Sequence, residues 1–195
     1  MVTRVLNIQP LGIRFKSGEE FSYSLNQQYE FLTKDFPIFS GFVIPKNEYT
    51  FWYQNVLLTS AGSRNLAGIL SLGSGNFYNG RKQDLKLTVN YKVAVPLFIG
   101  GNYSVNHVTL PEGDFTAKIY QVNMNILVSP TITLYNYFQY DNASERAGWQ
   151  SRFQWILKPG NEIILAWTSG WTQPDSQWMM NDSAVRLKLK YNIRF

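Results

Sequence analysis

Basic side chains occupy alternate positions near the end of this chain, at Arg186, Lys188, Lys190 and Arg194. Alternate residues of a β-strand point to the same face, so a strand in this region gathers all four charges on one face. Arg152, in an earlier alternating segment, is predicted to join them. Positive charges on one face raise the local concentration of anions beside it. If the strands of this chain enclose a lumen, the pattern indicates a basic surface that faces the lumen and favours anionic solutes.

In a second interpretation, the same basic side chains pair with acidic side chains, or with a plug segment that would fill the lumen and that this sequence lacks. The predicted inward-facing acids are Glu30, Asp84 and Glu162, while Lys86 and Lys92 add positive charge elsewhere on the wall. Both interpretations stay open at the level of sequence.

Residues for acid–base or metal chemistry are sparse. His107 is the single histidine and the chain has no cysteine, so the sequence offers neither a catalytic triad nor a zinc ligand set. Glu112 and Asp114 form an acid pair, but Pro111 and Gly113 beside them indicate a rigid turn. We therefore predict no catalytic residues, no metal site and no cofactor.

The segment that carries most of the bases alternates strictly along residues 185–195. Its apolar face comprises Val185, Leu187, Leu189, Tyr191, Ile193 and Phe195. A strand that ends in this way on an aromatic residue resembles the C-terminal strand of bacterial outer-membrane β-barrels. The resemblance implies that Tyr191, Ile193 and Phe195 form a signal for the barrel-assembly machinery. A closing strand of a soluble sandwich or barrel is the alternative.

Alternation recurs along the rest of the chain. The segments are 3–15, 21–31, 49–59, 66–78, 84–93, 97–107, 118–128, 131–140, 149–157 and 163–171. Pro10 interrupts the first because it cannot donate to a strand ladder, 49–59 is ambiguous, and no segment has a convincing helical period. The sequence predicts an all-β fold of about ten to twelve strands. We expect an antiparallel up-and-down transmembrane β-barrel in which residues 1–195 form one domain.

The connections between these segments predict the orientation of the barrel. Short, turn-forming connections are predicted at 16–18, 61–65, 95–96, 129–130 and 158–161, and generally longer ones at 33–48, 108–114, 141–147 and 172–183, with Asn79-Gly80 as a tight exception. Outer-membrane barrels have short periplasmic turns and longer external loops, so this asymmetry favours the same fold.

The apolar faces are predicted to meet lipid. The predicted lipid-facing and girdle residues are Trp149, Phe153, Trp155, Leu187, Leu189 and Tyr191. Aromatic residues near strand ends are typical of interfacial girdles, and the polar opposite faces suit a wet lumen. The inverse arrangement, a soluble β-barrel or sandwich that binds a hydrophobic ligand, remains an alternative, as does an outer-membrane hydrolase, although one histidine argues against the latter.

Composition bounds the remaining possibilities. Charged residues make up 16% of the 195 residues and aromatic residues another 16%, and no apolar run is long enough for a transmembrane helix. The net charge of +5 is spread along the chain, which argues against a nucleic-acid partner. The first ten residues lack the apolar core of a signal peptide. We therefore expect the C-terminal part of a longer, exported precursor.

Several stretches together resemble a bacterial family with an N-terminal carbohydrate-binding-like domain followed by an outer-membrane barrel of unassigned function. The stretches are VIPKNEY (43–49), GNFYNGR (75–81), VTLPEGDFT (108–116), VSP (128–130), FQYDN (138–142) and RFQWILKPGNE (152–162). The resemblance implies location in the outer membrane of a Gram-negative cell, contact with its lipid, and a porin-like channel, anchor or export role for an N-terminal soluble domain. The sequence lacks that domain, so its sugar-binding role does not carry over.

Overall fold

The structure is a computed structural model that describes residues 2–173, 175 and 177–192 of the chain. Its strands follow the alternating segments. They are β1 (Val2–Arg14), β2 (Glu20–Phe31), β3 (Phe36–Phe39), β4 (Phe42–Ile44), β5 (Glu48–Thr59), β6 (Leu66–Phe77), β7 (Gly80–Ala94), β8 (Leu97–Leu110), β9 (Gly113–Ser129), β10 (Ile132–Asp141), β11 (Arg146–Lys158), β12 (Asn161–Thr172) and β13 (Met179–Lys190).

Eleven of these strands form one antiparallel, up-and-down sheet, which confirms the predicted all-β class and strand number. The strand order is β1-β2-β5-β6-β7-β8-β9-β10-β11-β12-β13, and β3 and β4 form a separate hairpin. Neighbours in the sheet are therefore neighbours in the chain, apart from the hairpin inserted between β2 and β5. Within the described residues β1 and β13 are edge strands, so the sheet is open and does not close as a barrel.

The prediction that Pro10 breaks the first strand is wrong. β1 runs through Pro10 and pairs with β2 on both sides of it, with a register shift between Ile8 and Leu11. A bulge at an edge strand accommodates a residue that has no backbone N–H, because the missing donor interrupts only one side of the ladder.

The predicted long connection at 108–114 is also wrong. β8 continues to Leu110 and β9 begins at Gly113, which leaves only Pro111 and Glu112 between them. Gly113 has a φ of 138°, a conformation that favours glycine and allows the tight return. The asymmetry of connection lengths is therefore carried mainly by residues 32–47.

The last strand lies earlier in the chain than predicted. β13 begins at Met179, inside the predicted 172–183 loop, and ends at Lys190. Tyr191 follows the end of the strand, and Ile193, Arg194 and Phe195 lie outside the described residues. Strand residues 179–184 are Met, Met, Asn, Asp, Ser and Ala, a run without strict alternation, which is why their strand was not apparent from the sequence.

The chain divides into two compact units, one of residues 1–88 and 103–118 and the other of residues 89–102 and 119–195. All the buried hydrophobic side chains of the described structure belong to the first unit. Its core comprises Leu32, Ile44, Tyr49, Phe51, Val108, Leu110 and Phe115. The described part of the second unit has no buried hydrophobic side chain.

The β3–β4 hairpin contributes Ile44 to the core of the first unit, and its Ile38, Phe39 and Phe42 pack against that core. Ile44 of β4 is completely buried, and the Phe39 ring stacks on Phe115 with centroids 4.4 Å apart. Tyr49 and Phe51, also in this core, lie directly opposite the polar Glu30 and Gln28 of β2. The hairpin therefore packs onto the polar face of its unit, near the ends of the strands.

Among the described residues, no helix has both the length and the apolar character needed to cross a membrane.

Candidate functional site

Four of the predicted basic residues share one face of the sheet. Arg152 lies opposite Ala166, and Ala166 lies opposite Arg186, so the two arginines flank a small side chain across β11, β12 and β13. Lys188 and Lys190 follow Arg186 at alternate positions of β13, which places them on the same face. The fifth predicted base, Arg194, lies outside the described residues.

Only one of these four bases has an acidic partner in the described structure. Lys190 Nζ lies 3.6 Å from Glu162 Oε1, and the Gln154 amide donates to Glu162 Oε2 over 2.7 Å. Arg152, Arg186 and Lys188 form no ion pair with any described residue. The interpretation in which acids neutralise the bases therefore applies to Lys190, whereas the other three charges are exposed on the polar face.

The other predicted inward acids are already engaged within the first unit. Asp84 accepts a hydrogen bond from the Tyr53 hydroxyl and lies 3.4 Å from Lys82 Nζ. A side chain at Gly73 would overlap that hydroxyl, so close packing requires the glycine. These contacts link β5 to β7 across Gly73 of β6.

Glu30 is a buried carboxylate beneath the hairpin, with only 4% of its surface exposed. Gln28 donates to one of its oxygens and the Tyr78 hydroxyl donates to the other, the latter over 2.5 Å. Burial, together with the bond to Glu30, raises the pKa of Tyr78 well above its usual value. Tyr78 has a φ of 50°, uncommon for a bulky residue, in the connection between β6 and β7. The surrounding contacts hold the tyrosine in place.

We expect Tyr78→Phe to destabilise the first unit by about 1–3 kcal/mol, because it removes one donor from a buried carboxylate. Urea unfolding followed by tryptophan fluorescence measures this change. Tyr91→Phe, at a tyrosine that is 45% exposed, is the matched control and should alter stability little. Equal stability of the two variants would show that the Tyr78 hydroxyl does not stabilise Glu30.

The predicted girdle and lipid-facing residues share the opposite face. Trp149, Phe153 and Trp155 alternate with Arg152 and its polar neighbours on β11, and Trp149 packs edge-on against Trp167 with centroids 5.0 Å apart. Leu187 and Leu189 of β13 are 62% and 67% exposed. Tyr191 lies beyond the strand. The structure thus separates a polar face from an apolar face that is open to its surroundings.

His107 lies within 3.0 Å of the Thr116 hydroxyl, through its Nδ1 atom. Within residues 2–173, 175 and 177–192, no group of three histidine, cysteine, aspartate or glutamate side chains could hold a metal ion.

The fold and the two faces of the sheet define the molecule as an antiparallel β-sheet protein with one polar and one exposed apolar surface. Comparisons with protein-family models, with curated proteins and with solved structures found no match.

Two parts of this arrangement were missed by sequence reasoning. The β3–β4 hairpin was treated as a loop, although its apolar residues flank Ser40-Gly41, and Gly41 has a φ of 79°. This turn between apolar residues was the sequence pattern that could have predicted the hairpin. No sequence pattern predicted the hydrogen bond between Tyr78 and Glu30. The two residues are far apart in the chain, and they meet only because β2 pairs with β5 and β5 pairs with β6.

Proposed function

We propose that this chain is part of an outer-membrane β-barrel whose apolar face meets lipid and whose polar face lines a water-filled interior. The observation that carries the proposal is the position of the apolar side chains. Outside the core of the first unit they lie mainly on one face and are exposed, and the described part of the second unit has no buried hydrophobic side chain. Exposed apolar surface costs roughly 25 cal/mol per Å² in water, so a surface of this extent needs an apolar environment.

The contents of the polar face favour lipid over a soluble barrel with a hydrophobic ligand. A ligand-binding soluble barrel places its apolar side chains inside, where they bury one another or the ligand. Here the face that carries Arg152 and Arg186 also carries Gln150, Gln154 and Thr168. The arrangement is the reverse of a soluble one and is typical of membrane barrels.

Strand lengths agree with the proposal. A membrane-spanning strand needs about 9–11 residues, and the strands of the large sheet range from the 10 residues of β10 to the 17 of β9. Single-chain bacterial barrels have an even number of strands. Because this sheet has eleven, a closed barrel requires at least one more strand to pair with the exposed edges of β1 and β13.

The role that we propose for the barrel is a passive channel, an anchor or an export partner for an N-terminal soluble domain. The resemblance to the barrel family with an N-terminal carbohydrate-binding-like domain supports the anchor and export roles. Arg152, Arg186 and Lys188, which form no ion pair with any described residue, favour an anion-conducting interior. The assembly signal at Tyr191, Ile193 and Phe195 stays a prediction, as does recognition by the assembly machinery.

Membrane insertion is tested by the behaviour of the chain with and without lipid. We expect the protein to aggregate in plain buffer, and to fold in phospholipid vesicles into a form that resists protease and migrates differently after boiling. A monodisperse, folded protein in buffer without detergent would contradict the proposal and favour the soluble alternative.

For the channel role, we expect Arg152→Gln combined with Arg186→Gln to reduce anion preference in planar bilayers without unfolding the protein. The two guanidinium groups flank Ala166 and have no ion-pair partner among the described residues. Salt should screen their effect over about 10 Å at 0.1 M. Reversal potentials in a salt gradient measure the change.

The matched control for that experiment is Lys16→Gln combined with Lys34→Gln, which removes the same charge from exposed residues outside the strands. The control should keep the anion preference of the parent. Equal losses in both double variants would indicate an effect of net charge alone, and a folded protein without conductance would leave the anchor or export role.

A further inference from the structure

The β3–β4 hairpin reaches far across the first unit from the place where it leaves the sheet. It connects β2 to β5, but Phe39 and Phe42 at its tip pack against Phe115 of β9, with ring centroids 4.4 and 4.9 Å from the Phe115 ring. β9 is the fourth strand beyond β5 in the sheet. Adjacent strands are about 4.8 Å apart, so the hairpin extends over roughly 19 Å across the strands.

Buried contacts and hydrogen bonds fix the hairpin in this position. Ile44 is completely buried in the core of the unit. At the neck of the hairpin, Leu32 N donates to Asn47 O over 2.9 Å. Lys46 N donates to Asp35 Oδ1 over 2.8 Å. Detachment of the hairpin would expose the buried surface and break these bonds, so the hairpin is a fixed layer on the sheet.

The free face of the hairpin presents a small apolar surface. In the pairing of β3 with β4, Phe36 lies opposite Ile44 and Pro37 lies opposite Val43. Successive residues of a strand point to opposite sides, so Pro37 and Val43 face away from the buried Ile44. Val43 is accordingly 45% exposed. These two side chains border the space that remains beside the hairpin on the polar face.

The hairpin is large relative to the interior that the proposed barrel would enclose. A barrel needs at least twelve strands to include these eleven in an even number. With strands about 4.8 Å apart and tilted by about 40°, such a barrel is roughly 24 Å across between backbones. Packed sheets lie about 10 Å apart, so the hairpin backbone stands roughly 10 Å from the wall. Its free face then lies near the middle of the interior.

We propose that the β3–β4 hairpin is a fixed constriction of the barrel interior, with Pro37 and Val43 at its narrowest point. The channel then passes small solutes and excludes large ones. This inference rests on the proposed membrane barrel and adds selection by size to it. The hairpin reaches over five of the eleven strands, β5 to β9, and takes up about half of the estimated width. The basic residues of the polar face act on the charge of a solute, whereas the hairpin acts on its size.

Cysteine labelling of the protein in phospholipid vesicles tests the position of the hairpin. The chain has no cysteine, so Val43→Cys supplies a single thiol on the free face. We expect N-ethylmaleimide to label this thiol completely. A maleimide joined to a long polyethylene glycol chain should leave it largely unlabelled in the same time, because the polymer does not fit a narrowed interior.

The matched control for labelling is Asn79→Cys, at an exposed residue between β6 and β7, at the same end of the strands as the hairpin. It should react with both reagents. Ile44→Asp places a charge in the core and should release the hairpin, so that the thiol of Val43→Cys becomes open to the polymer reagent. The single variant Val43→Cys keeps the test decisive should Ile44→Asp not fold.

Planar bilayers give a second measurement on the same variants. A thiol reagent with a bulky uncharged group, attached to Val43→Cys, should lower the conductance by roughly half or more, because the free face borders the narrowest part of the passage. The same reagent on Asn79→Cys should leave the conductance unchanged.

Rapid labelling of Val43→Cys by the polymer reagent in the inserted protein would overturn the proposal, as would an unchanged conductance after its modification. A thiol that resists both reagents would overturn it in favour of a plug that closes the interior. Labelling requires insertion but no conductance. These results are therefore distinct from a failure to insert, which would remove the barrel itself.

Discussion

Leu165→Arg is expected to lower the free energy of unfolding in phospholipid vesicles by about 2–4 kcal/mol, the cost of an arginine at the lipid midplane of a barrel. Leu165 lies near the middle of β12, on the same face as Leu187, and is 42% exposed. The proposed lipid contact places a charge there in hydrocarbon. Urea titration of the vesicle-folded protein measures the loss.

The control is Thr168→Arg, on the same strand but on the polar face, between Gln150 and Ala184. It should cost much less, because the new charge meets water. Leu189→Arg should fall between the two, since Leu189 is next to the end of β13 and the cost declines with distance from the midplane. Equal losses at Leu165 and Thr168 would show that the assignment of faces is wrong.

Ile44→Ala is expected to destabilise the first unit by about 2–5 kcal/mol, the usual cost of truncating a buried aliphatic side chain. Ile44 is the largest completely buried side chain of the described structure, and it joins the hairpin to Val108, Leu110 and the rings around Phe115. Unfolding followed by circular dichroism measures the effect. We also expect easier proteolysis within residues 32–47.

Val43→Ala is the matched control for this prediction. Val43 precedes Ile44 on β4 and is 45% exposed, so its truncation should change stability by less than about 1 kcal/mol. A hairpin that was only a surface loop would give similar, small effects at both positions, and such a result would contradict the place of Ile44 in the core of the first unit.

The sequence predicted the fold class because period-2 alternation is a property of each strand by itself. Segments such as 118–128 and 149–157 indicated strand and face without any knowledge of their partners. Pro10 and the 108–114 segment were predicted incorrectly for the opposite reason. An edge strand tolerates proline because it has a neighbouring strand on one side only. The continuation of β8 to Leu110 depends on packing against the hairpin.

The candidate sites were predictable only in part. Alternation was enough to group Arg186, Lys188 and Lys190, but which of them is neutralised depends on the register that brings Lys190 to Glu162. Gly148 and Gly170 are likewise unremarkable in the sequence, and only the register of β11 and β12 places them side by side.

The strand order of the large sheet also has a kinetic consequence. Each strand pairs with its neighbour in the chain, except where the β3–β4 hairpin separates β2 from β5. Such a topology has a low contact order, and closing a short loop costs less entropy than closing a long one. The sheet can therefore grow by adding one hairpin at a time to an existing edge. The β2–β5 pairing is the step that requires a longer loop, so a hairpin that folds early shortens the chain that this step must close.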